Sequence, residues 1–219
     1  MSNESPHFGH ESSWLTSGKL RHVVSVVWNI ATERQWLLMG SAFGRTCEAM
    51  MAEPSISAVL NLCEHKADGE ASPEEVQAGL QTLEFYIRRP HTTPRQDHGA
   101  AVLRTVLTMG RGDWRSRGLD HILQVHRTPE ARMMLCNLIR DIFGNPFRPV
   151  AFDPRWRSEP AVALARSAYE SRDFALLPIL ADALEEAGCD HPDVLAHCRQ
   201  PDAVHVRGCW VVDLVLGKQ

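Results

Sequence analysis

Apolar residues recur every three or four positions along most of this chain, the spacing of one face of an α-helix. From Lys19 to Ile30, Leu20, Val23, Val24, Val27, Trp28 and Ile30 keep that interval and predict a helix despite the valines. A second begins behind Thr32 and carries Trp36, Leu37, Met39, Phe43, Cys47, Met50 and Met51 as far as Glu53-Pro54. Ile56, Val59, Leu60 and Cys63 mark a third, closed at Ala67-Asp68-Gly69, where glycine can take the left-handed conformation that ends helices. Ser72-Pro73-Glu74-Glu75 then combines an N-cap hydroxyl, a proline at the first helical position and a glutamate three residues after the cap, ahead of Val76, Leu80, Leu83 and Ile87.

Further helices are expected around Ala100 to Met109, from Leu119 to Val125, and from Thr128-Pro129-Glu130 through Ile142, stopped by Gly144. The stretch from Asn145 to Trp156 holds three prolines and three aromatics, so it should run extended with Phe147, Phe152 and Trp156 pinned to the core. Ser158 opens a helix through Tyr169. Asp173 opens another through Leu184, in which Pro178 either kinks the helix or delays its regular start. His191-Pro192 starts a short helix to Cys198, and Gln200-Pro201-Asp202 is a turn. Val204 to Leu216 is read as a final helix, since Val206, Trp210 and Leu214 lie four apart and nothing else supplies a sheet for a lone strand to join. The expected fold is all-α: an irregular multi-helix bundle with a Pro- and aromatic-rich extended connection near 144–157. Residues 1–13 read as a flexible tail, 14–143 as an N-terminal helical region and 144–219 as a C-terminal one, possible halves of one domain.

Composition adds bounds. At 219 residues and 44% hydrophobic, the chain can bury a real core, and a net charge of −4 names no polyanionic partner. The polar start MSNESPHFGHESS lacks a secretory signal and no apolar run reaches the roughly 20 residues that span a bilayer, so a cytoplasmic protein without membrane association is expected. One stretch is basic: Arg88, Arg89, Arg95, Arg104, Arg111, Arg115 and Arg117 face only Asp97 and Asp113. Aromatic interleaving there is limited to Trp114, so a solvated surface is preferred and a nucleic-acid contact through Arg88–Arg117 stays an alternative.

The densest chemistry lies near the C-terminus, where Cys189, His191, His197, Cys198, His205 and Cys209 are all side chains that ligate zinc. His197 or Cys198, with His205 and Cys209, could surround one ion, but no Cys-x2-Cys knuckle occurs, and on a helix His197 and Cys198 point about 100° apart so that only one would bind easily. The plainer expectation is that the cysteines are small core residues and no cofactor is held. A nucleophilic pair of Cys209 with His205 would need both on one helical face, and the apolar neighbours Trp210 and Val211 raise a thiol pKa rather than lower it. Gly110-Arg111-Gly112 lacks the continuation of a nucleotide-binding loop. No catalytic set stands out.

The segments LIRDIFGNPFRPV (Leu138–Val150), LPILADALEEAGCDHPDVLAHCR (Leu177–Arg199) and HVRGCWVVDLVLGK (His205–Lys218) resemble the closing pattern of a bacterial protein family without an assigned reaction. That resemblance implies a shared helical fold and no activity. The functional expectation is therefore a non-enzymatic helical interaction or adaptor module with a protein partner; the alternative is a zinc-stabilised or nucleic-acid-associated regulator.

Overall fold

Two of the helix starts carry reciprocal caps, and they show how local sequence sets the elements. The computed structural model describes residues 10–47, 53–89, 100–105, 107, 118–201 and 203–218. Its helices are α1 (Glu11–Thr16), α2 (Leu20–Val27), α3 (Glu33–Arg45), α4 (Pro54–Ala67), α5 (Pro73–Ile87), α6 (Leu119–Val125), α7 (Pro129–Phe143), α8 (Glu159–Ser171), α9 (Leu177–Glu186), α10 (Pro192–Arg199) and α11 (Trp210–Leu216), with helical residues also at 100–105. Among the described residues there is no strand, and the fold is the expected all-α multi-helix bundle. At α3 the Gln35 amide donates to Thr32 Oγ1 at 3.2 Å while the Thr32 amide donates back to Gln35 Oε1 at 3.0 Å. At α5 Ser72 and Glu75 make the same exchange at 3.2 and 2.7 Å. Ser72→Ala should lower stability by about 1 kcal/mol, read by chemical denaturation, because the Glu75 amide loses its side-chain acceptor.

The chain divides into two compact units, Met1–Arg140 with Asn145–Arg148, and Asp141–Gly144 with Pro149–Gln219. In the first, α3 packs on α4 and α4 on α5. Leu38, Met39, Leu60, Cys63 and Leu83 are fully buried there. Two ion pairs reinforce α3: Arg45 Nε to Glu64 Oε1 at 2.9 Å, and Arg34 Nε to Asp68 Oδ1 at 3.2 Å. Arg140 Nε and Nη2 donate to the carbonyls of Trp14 and Ser17, at 2.8 and 2.6 Å, at the end of α1. Residues 11–13, expected in a flexible tail, are the first turn of that helix, anchored by the buried Trp14.

In the second unit α8 packs against α9 and α11, α9 against α10, and α10 against α11. Their shared core holds Trp156, Ala165, Tyr169, Leu180, Leu184, Val194 and Val211, with Phe152 packed on it. Pro178 resolves in favour of a delayed start: Phe174–Leu176 is a 3-10 turn and the regular helix begins at Leu177, with the proline in its first turn, where its missing amide costs nothing. The last helix is shorter than its spacing suggested. Residues 203–206 are not helical, and Gly208 at φ 97 breaks the backbone before α11 begins at Trp210. Similarly, α3 ends at Arg45; of its expected extension, 48–51 lie outside the described residues. Most of the basic stretch also lies outside them; Arg89 is described, and its guanidinium meets Glu53 at 3.3 Å. No described helix is long and apolar enough to cross a membrane.

Candidate metal centre

The break at Gly208 matters because of what it positions. His205 lies in the non-helical connection and Cys209 at the N-cap of α11, so they do not share a helical face as expected. His197 comes from the last turn of α10. The fourth member is Asp141, in the last turn of α7 and part of the same compact unit. Each of the four offers one ligand atom, and these atoms all lie within 4.8 Å of one another. Cys198, adjacent to His197, is not among them: it is a buried core residue whose thiol, chiefly through burial, is pushed up to about 12. The helical divergence of neighbouring side chains thus selects His197 and rejects Cys198.

Distances define the arrangement. Asp141 Oδ1 is 2.6 Å from His205 Nδ1 and 3.2 Å from His197 Nε2, while Oδ2 accepts the Val206 amide at 2.8 Å. Cys209 Sγ is 3.2 Å from His197 Nε2 and 4.0 Å from His205 Nδ1. The side chains of Asp141, His205 and His197 are 4%, 6% and 16% exposed, and Cys209 is fully buried. Ring contacts surround the imidazoles: His197 lies edge-on to His205 at 4.9 Å, Trp210 is 5.1 Å from His197, and Phe174 is 6.2 Å from His205.

Electrostatics separate two chemical readings of this cluster. Burial alone raises a carboxyl pKa, but the hydrogen bonds and charge of His197 and His205 outweigh it and hold Asp141 below the ordinary carboxylate value. Cys209 moves the other way. Burial, then the Asp141 charge, push its thiol well above the usual value, against the backbone amides of Val212 and Val211. A thiol so raised is a poor free nucleophile. The geometry also lacks a relay. In a nucleophile–base–orienter set, one imidazole nitrogen takes the proton while the other is held by the carboxylate. Here His197 turns the same nitrogen, Nε2, to both Cys209 and Asp141, and His205 does so with Nδ1. Four side chains that each turn one donor atom toward the others are a candidate ligand set.

The site's framework explains its precision. Gly144, at φ 63, ends α7 just after Asp141, and a Cβ there would stand 3.1 Å from the Trp210 ring. Glycine is required both for the left-handed turn and for the close approach that sets the end of α7 beside the start of α11. Asp141 is also locally misplaced: a carboxylate in the last turn of a helix faces the negative end of the helix dipole. It is buried, as are Leu138, Ile139 and Ile142 near it in the sequence. That combination, a lone acid within an apolar helical stripe at its C-terminal end, is the one signal in the sequence that could have found it. Among the described residues no other group of this kind occurs. Comparison of the chain with protein-family models, curated proteins and solved structures returns no match.

Proposed function

We propose that the chain is a metal-anchored helical module, in which Asp141, His197, His205 and Cys209 hold one transition-metal ion that fixes Asp141–Gly144, α10 and the approach to α11 in one arrangement. The observation that carries this reading is the convergence of four potential ligand atoms from separate elements within 4.8 Å. Its role is architectural rather than catalytic, a view supported by the buried, high-pKa thiol and by imidazoles that do not bridge nucleophile and carboxylate. The module then acts through its surface, with a protein as the proposed class of partner.

Elemental analysis of the untagged full-length protein, followed by thermal melting with and without a chelator, tests the reading. Near-stoichiometric metal and a chelator-induced fall in melting temperature are expected, since a metal that binds the folded state stabilises it by mass action. Less than about a tenth of an equivalent, before and after incubation with zinc, together with unchanged melting, would overturn it.

A further inference from the structure

We infer that the ion is zinc(II), bound by Asp141 Oδ1, His197 Nε2, His205 Nδ1 and Cys209 Sγ in a closed four-coordinate site. This rests on the metal-binding reading above and adds the identity and coordination of the ion. Three features of the cluster support it.

The first is donor chemistry. A thiolate favours zinc, copper(I) and iron in sulfur-rich clusters, imidazoles favour zinc, copper, iron and nickel, and a carboxylate alone would suit magnesium or manganese. Zinc is common to the sulfur and nitrogen preferences and accepts the oxygen. The second is spacing. Zinc bonds of about 2.0–2.3 Å in a tetrahedron place neighbouring ligand atoms about 3.3–3.6 Å apart. Of the six separations, four are 2.6, 3.2, 3.2 and 4.0 Å and the other two lie within 4.8 Å, so the set straddles that range and side-chain movements, among them opening the Asp141–His205 contact, complete the shell. Asp141 supplies a single oxygen because the Val206 amide holds the other. Six-coordinate ions need two more donors, and among the described residues no fifth His, Cys, Asp or Glu joins the group.

The third feature is charge. With Asp141 and Cys209 each carrying −1 and both imidazoles neutral, a divalent ion leaves the loaded site neutral. Copper(I) would leave a buried −1 and iron(III) a buried +1, each costly in a site shielded from solvent. Binding displaces the Cys209 thiol proton and any proton on the two site-facing nitrogens, and these leave to solvent. Four protein ligands fill a tetrahedral shell, with Phe174 and Trp210 beside the imidazoles, which is the form of a structural centre rather than a hydrolytic one.

Cobalt(II) substitution of the full-length protein reads the coordination number and the sulfur ligand, and the elemental analysis above reads the identity of the ion. The expected spectrum has the intense visible bands of four-coordinate cobalt and a sulfur-to-cobalt charge-transfer band, both abolished by one equivalent of zinc. Cys209→Ser should lose the charge-transfer band, whereas Cys198→Ser should keep it. Because the wild-type spectrum alone reports coordination number and sulfur ligation, a Cys209→Ser variant that fails to fold does not weaken the test. Weak, six-coordinate cobalt bands without a sulfur transition would overturn the closed zinc site while leaving metal binding standing. Retention of neither cobalt nor zinc after equilibrium dialysis would overturn both.

Discussion

Asp141→Ala should lose metal affinity by at least about 100-fold, more than the 10–100-fold typical of residues that only orient a ligand, and should destabilise the protein by about 3–5 kcal/mol. Both losses have the same origin. The carboxylate is the hub of the cluster: Oδ1 meets both imidazoles and Oδ2 the Val206 amide. Its removal leaves buried donors without this acceptor, which costs more than the net value of any hydrogen bond formed there. Asp141→Asn separates the terms, because the amide keeps the volume and one oxygen but gives up the charge that neutralises the ion. It should retain more stability than the alanine variant while still binding metal weakly. Zinc titration against a competing chromophoric chelator and urea denaturation check the two quantities; wild-type affinity in the alanine variant would remove Asp141 from the ligand set.

A second large effect is expected far from these ligands. Leu60 is fully buried in α4, and a Cβ placed on Gly44 of α3 would stand 2.5 Å from Leu60 Cδ2 and 3.0 Å from Leu103 Cδ2. Leu60→Ala should cost about 2–5 kcal/mol through lost burial and the cavity left behind. Gly44→Ala alone should cost about 1–3 kcal/mol by overpacking. Combined, the two should cost less than their sum, because the added methyl enters space vacated by the leucine. A denaturation double-mutant cycle measures the coupling, and strict additivity would contradict the packing. Metal stoichiometry should be unchanged in all three variants, since every proposed ligand belongs to the other unit.

Helices with repeated apolar spacing and explicit caps were legible from residues alone. Thr32 and Ser72 announce α3 and α5 because their partners lie three positions away, within reach of local pattern. The final helix was overextended for an equally physical reason: Val206, Trp210 and Leu214 preserve a four-residue interval across Gly208, and interval alone does not register a left-handed glycine. The candidate site was half legible. His197, His205 and Cys209 stand within one short stretch, so their chemistry could be noticed together, and the divergence of His197 from Cys198 followed from helix geometry. Asp141 showed only as a lone acid in an apolar helical stretch, and nothing local tied it to His205, 64 residues later. A missing Cys-x2-Cys knuckle speaks only to ligands that meet locally and does not bear on a set assembled by packing.

The chain order of the proposed ligands has a consequence for assembly. Asp141 comes first, and the whole of α8 and α9 lies between it and His197. A knuckle can capture its ion on a nascent loop and organise the chain around it; here the first and later ligands meet only after a long loop has closed. A metal bound at this centre is therefore a seal rather than a seed. It fastens an arrangement that α8, α9 and their apolar core must already have reached, and a chain stalled before that packing presents the ion with scattered side chains instead of a site.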